Sequence, residues 1–169
     1  MTAAGAERPS PARPSHGWVV LDTNVWLDIH YFRDPEAVPL AHALESLHWG
    51  TARCEQTDAE LSLVLARPPF GADPAERLRL IDCLQNWQAR SQLFSLDAQA
   101  PYRCRDPHDQ KFLDLAHAAQ ASLLLTKDKA LLSVQRSARQ HGLTLLTPGQ
   151  FATLLPLPER TEPAKHIVA

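Results

Sequence analysis

Charge of one sign, paired cysteines and long apolar runs are what this sequence has little of. Seventeen basic residues stand against nineteen acidic ones, a formal charge of −2. That balance argues against a broad nucleic-acid-binding surface but leaves room for a local basic groove. Cys54, Cys83 and Cys104 are odd in number and fall outside any C-x-x-C pattern. They supply neither a disulfide framework nor a zinc knuckle, and they suit a reducing, cytoplasmic setting. No apolar stretch is long enough to cross a membrane. Residues 1–16 carry Pro9, Pro11 and Pro14 beside Arg8 and Arg13, without the apolar centre of a secretory signal. They read as a disordered leader, and residues 156–169, opening with Pro156-Leu157-Pro158, read as a flexible tail. Also missing are an internal repeat, a Ser-His-Asp order, a glycine-rich phosphate loop and a heptad seam.

What is present is enough for one domain over residues 17–155, with 44% hydrophobic content along the whole chain. Its most telling segment is Trp18-Val19-Val20-Leu21-Asp22-Thr23-Asn24-Val25, an apolar run of strand length that stops at a carboxylate. A first helix is expected over 23–32 and a second, opened by Asp34-Pro35-Glu36, over 36–49. A weaker strand follows over 52–55. Thr57-Asp58-Ala59-Glu60 fits a capping box opening a helix to Ala66, and Asp73-Pro74 opens another to Arg90. Strands are expected over 93–96, 122–126 and 143–146, and helices over 106–120, 128–140 and 148–155, with His141-Gly142 as a C-terminal cap. Strands alternating with helices predict an α/β fold, a central parallel sheet of four to five strands flanked by helices as an α/β/α sandwich.

On that plan Asp22, Glu60, Asp109 and Asp128 all follow strands or open the helices after them, so they converge on one sheet edge. Helix N-termini also favour carboxylates for capping alone. Glu60 is open to either role, Asp106 before Pro107 suits an N-cap, and Asp128 could cap its own helix. Asp22 is hardest to explain that way, since a carboxylate straight after a buried strand needs a partner. Four acids at one edge repel one another unless cations intervene. Oxygen ligands without Cys or His select Mg2+ or Mn2+, ions suited to phosphodiester hydrolysis. Thr23, Asn24 and Thr126 are candidates to orient the acids or touch substrate. Arg105 and Lys127 are the leading phosphate contacts, ahead of Arg103, Lys111 and Lys129. Tyr102 and Trp26 could stack on bases but suit the core better. His108 reads as an exposed loop residue, Trp49, Trp87 and Leu84 as core, and Asp28 and Asp114 as solvated surface.

Taken together, Leu21-Asp22-Thr23-Asn24-Val25, Glu60-Leu61-x-x-Val64-Leu65, Arg105-Asp106-Pro107-His108-Asp109-Gln110-Lys111-Phe112-Leu113-x-x-Ala116 and Leu125-Thr126-Lys127-Asp128-x-x-Leu131-Leu132 resemble the PIN-domain ribonucleases. The likeness is to the branch labelled as toxin components of bacterial toxin–antitoxin systems, related to VapC toxins, and covers about Trp18 to Leu155. It implies a PIN-like fold and a Mg2+/Mn2+-dependent endoribonuclease acting on single-stranded or structured RNA, commonly a homodimer held by an antitoxin. It implies Asp22, Glu60, Asp109 and Asp128 as catalytic, metal-holding acids, with Asp106 as an auxiliary ligand. Lys127 stands where glycine or arginine often precedes the fourth acid. Two other classes stay open. One is a non-catalytic RNA- or protein-binding module. The other is a haloacid-dehalogenase-like phosphatase, disfavoured because it wants an Asp where Asn24 stands.

Overall fold

The computed structural model describes residues 14–46 and 48–155. Trp18–Leu21 form β1, buried at every position, as expected of a strand covered on both faces. β1 pairs in parallel with β2 (Gly50–Arg53) on one side and with β4 (Leu123–Leu125) on the other. β3 (Gln92–Leu93) adds to β2 and β5 (Thr144–Leu146) to β4, all parallel, giving the order β3-β2-β1-β4-β5. The chain builds outward from β1 to β3, then crosses to the opposite side for β4. The gap between the carboxyl ends of β1 and β4 is therefore a topological switch point, where open α/β sheets bind ligands.

Alternation along β1 sends side chains to two cores. Val20, with Leu124 and Leu145, packs beneath Phe112, Leu115 and Ala116 of α5 (Gln110–Ala118) and Ala138 of α7 (Gln135–Arg139). Val19 and Leu21, with Leu123 and Leu125, pack against Leu40 of α2 (Val38–Glu45) and Phe151 of α8 (Pro148–Leu154). A third cluster joins α1 (Thr23–Leu27), α3 (Glu55–Leu65) and α4 (Pro74–Arg90) through Trp26, Leu27, Leu61, Leu65, Leu80 and Leu84. Leu84 is core as expected, while Trp49 and Trp87 are half-buried against these clusters.

Several boundaries differ from expectation for local reasons. β2 starts earlier because Gly50 pairs with Trp18, and a Cβ there would strike Pro14 and the Trp18 ring. β3 is only two residues long at the sheet edge. The first helix does not run evenly to residue 32: α1 ends at Leu27 and a π-helical turn, Asp28–Phe32, follows, stopped by Arg33 at φ 52°. A 3-10 turn, Pro35–Ala37, precedes α2, which stops at Glu45. The helix expected over 128–140 is two, α6 (Lys129–Leu132) and α7, and at the break Ser133 Oγ donates to the Ala130 carbonyl. The expected leader and tail lie outside the described residues apart from Pro14–His16, where His16 N donates to the His48 carbonyl. Among the described residues no helix is long and apolar enough to cross a membrane.

Candidate active site

Asp22 ends β1 and is only 4% exposed. Its Oδ2 accepts the Thr126 hydroxyl at 2.7 Å and its Oδ1 the Asn24 backbone N–H at 3.4 Å. Burial pushes its carboxyl up to about 6; the bonds from Thr126 and Asn24 pull it down, and the negative charges of Asp109 and Glu60 push it up again. It is a buried carboxylate that faces other acids.

Glu60 corrects the sequence reading. The helix begins at Glu55, Cys54 is its N-cap and Thr57 is the reciprocal partner of that cap. Glu60 thus lies beyond the first turn, and capping does not account for it. Instead it accepts the Thr23 hydroxyl at 2.6 Å and forms an ion pair with Lys111 of α5.

Asp109 occupies the N-cap position of α5 without any side-chain bond to the helix. Its carboxyl is raised, first by burial, then by Asp128 and Asp106, with Lys111 opposing and Glu60 adding. Asp106 is exposed and accepts the His108 backbone N–H at 2.8 Å, which tightens the loop before α5. Asp128 does cap its helix. Its Oδ1 takes the N–H groups of Ala130 at 2.6 Å and Leu131 at 3.1 Å. Capping occupies that one oxygen.

Two threonines tie the acids together. Thr23, directly after Asp22, donates to Glu60, while Thr126 donates to Asp22 and accepts the Asp128 N–H at 2.9 Å. Among the described residues, no three acidic, histidine or cysteine side chains are arranged as a closed metal-binding set. The donors are nonetheless all carboxylate oxygens, and a raised, buried Asp22 facing Asp109 and Glu60 calls for added positive charge. A hard divalent cation fits that chemistry.

Asn24 and Arg105 are exposed, and Arg105 has no ion-pair partner among the described residues. Lys129 and His108 are exposed too, and Arg103 bonds Gln99. Tyr102 and Trp26 are buried at 4% and 1% exposure, which assigns both to the core. Lys127 does not stand free: its ammonium lies 2.7 Å from Asp28 and 2.7 Å from Asp34. Asp28 and Asp114, expected at the surface, are buried. Asp114 Oδ1 accepts the Ala100 N–H and the Gln110 amide, both at 2.8 Å. Asp34 caps the 3-10 turn, in keeping with its reading as a helix start, but its pairing with Lys127 spans 93 residues and leaves no local signal.

Residues 18–130 match the family model described as PIN domain, two thirds of the 169-residue chain. The chain belongs to the PIN-domain family. The matched span of this PIN domain contains Asp22, Glu60, Asp109 and Asp128. Its fold resembles the crystal structure of VapBC2 from Rickettsia felis bound to a DNA fragment from their promoter, with a TM-score of 0.53 and 14% identity over 77% of this chain and 98% of that one. At that identity the likeness is one of fold. No curated protein matches the sequence.

Proposed function

We propose that this PIN domain is a Mg2+/Mn2+-dependent endoribonuclease, the toxin of a type II toxin–antitoxin pair acting in the cytoplasm as a homodimer. The observation that carries the reading is Asp22: a carboxylate 4% exposed at the switch point, facing Asp109 and Glu60 with no ion-pair partner among the described residues. Asp22, Asp109 and Asp128 would hold the ion, Glu60 would join them on leaving Lys111, and Asp106 is an auxiliary. When bound, the ion supplies an activated water and charge to offset the leaving oxygen. Thr126 bonds Asp22 and Thr23 bonds Glu60, so both would orient the acids, and Asn24 and Arg105, both exposed, would meet the RNA. The toxin role and the antitoxin partner rest on the family resemblance, supported by the VapBC2-like fold.

A second reading, a non-catalytic RNA- or protein-binding PIN module, is favoured by one observation. Lys111 pairs with Glu60 and Asp128 caps α6, so two acids already have internal partners. Thermal melts separate the two, because a ligand that binds only the folded state raises its stability, by about 2.7 kcal/mol at a hundredfold excess over Kd. Millimolar Mn2+ raises the Tm of the parent and leaves Asp22→Asn unmoved if the nuclease reading holds. Equal melts with and without Mn2+ favour the binding module.

A further inference from the structure

Lys127 sits between Thr126, which bonds Asp22, and Asp128, which caps α6. Its side chain nonetheless points to a different pair of acids. Nζ lies 2.7 Å from Asp28 Oδ2 and 2.7 Å from Asp34 Oδ2. At that distance the ammonium pairs directly with each carboxylate. Asp28 and Asp34 together hold the ammonium above its ordinary range.

The backbone presets this arrangement. Asp28 opens the π-helical turn, and its carbonyl accepts the N–H groups of both Arg33 and Asp34, the latter at 2.9 Å. Arg33 at φ 52° turns the chain so that Asp34 comes back beside Asp28. Asp34 then caps the next turn through the Glu36 N–H at 3.0 Å, which leaves its Oδ2 for Lys127. The Asp28 side chain is 10% exposed, and burying a carboxylate that close to another needs a cation. Lys127 is that cation, and it arrives from the β4–α6 connection.

We infer that Lys127 is a positioning residue: the Asp28–Lys127–Asp34 clamp ties the β4–α6 connection to the turn after α1 and so fixes Thr126 and Asp128 against Asp22. The inference rests on the metal-nuclease reading of that site. It departs from the expectation that Lys127 meets phosphate, because an ammonium shared by two carboxylates has little charge left to offer a polyanion.

Asp34→Asn separates the two roles by sign. Released from Asp34, a phosphate-contacting Lys127 would bind RNA more tightly and with a steeper salt dependence. A clamp would instead be loosened. The experiment compares the parent with Asp34→Asn, Lys127→Met and Lys127→Arg by Mn2+ titration followed by electron paramagnetic resonance, and by kcat and KM on a labelled single-stranded RNA. The clamp predicts that Asp34→Asn and Lys127→Met each weaken Mn2+ binding severalfold and lower kcat about tenfold. KM and the salt slope of RNA binding stay as in the parent, and Lys127→Arg restores most of the loss. A salt slope reduced by about 0.7 in Lys127→Met, the share of one single-strand phosphate contact, with Mn2+ binding intact, would overturn it. A parent that binds no Mn2+ removes the metal-site reading itself and the clamp with it.

Discussion

Lys111 on α5 forms an ion pair with Glu60 on α3, so one of the four acids meets its counter-charge inside the protein. The same lysine lowers the Asp109 carboxyl that its acidic neighbours raise. Among the described residues it is the lysine paired with this group of acids. Lys111→Met leaves Glu60 facing Asp22 and Asp109 uncompensated, at a cost of about 1–3 kcal/mol for a partly buried pair. It also frees Glu60 as a ligand. The variant therefore melts lower than the parent in chelator and gains more from added Mn2+, both readable from Tm.

A buried carboxyl and a half-buried imidazole titrate against each other in acid. Burial and acidic neighbours raise Asp22 from 3.8 to about 6, so between those values the folded state holds a proton that the unfolded chain lacks. Stability from Asp22 thus falls as pH rises from about 4 to about 6, by about 3 kcal/mol. Burial, then Arg79, lowers His30 from 6.5 to about 4, so here the unfolded chain binds the extra proton. Stability from His30 rises with pH over nearly the same window. Urea denaturation in chelator should find the parent almost flat from pH 4 to 6. Asp22→Asn should be more stable than the parent at pH 7 yet lose stability on acidification, because Asp22 no longer opposes the His30 effect.

Asp114 holds the loop that delivers Asp109. It accepts the Ala100 N–H and the Gln110 amide, and Gln110 in turn bonds the backbone of Tyr102 and Cys104. Asp114→Ala leaves the buried Ala100 N–H unpaired and takes one of two acceptors from the Gln110 amide, a loss of about 1–3 kcal/mol. Asp114→Asn keeps an acceptor and costs less. Chemical denaturation ranks the three proteins, and RNA cleavage falls in the same order if the loop positions Asp109.

The alternation of buried strands with capped helices was legible because each unit carries its own local signal: an apolar run, then Asp or Thr, then an apolar-periodic helix. The order of the sheet and its switch point rest on which strands pair, which no local pattern records. Among the site residues, Asp22 was legible for the same reason, as a charge straight after a buried strand. Glu60 stayed open between capping and a site role because Thr57-x-x-Glu60 imitates a capping box, whereas Cys54, a poor N-cap by type, takes that position and recruits Thr57. Asp28 and Asp114 were invisible as buried groups, and Asp34 as an ion-pair partner, since their contacts depend on the π-helical turn and on partners as far away as Lys127.

Hydrolysis of a labelled single-stranded RNA by the parent, Asp22→Asn and Asp128→Asn, each with Mn2+ and with excess chelator, tests the central claim most directly. Both substitutions keep shape and an accepting oxygen while removing one negative charge. The account predicts cutting by the parent in Mn2+ alone, with each variant at least a hundredfold slower, about 3 kcal/mol in the barrier. Equal cutting by all three proteins, or cutting that persists in chelator, would contradict it.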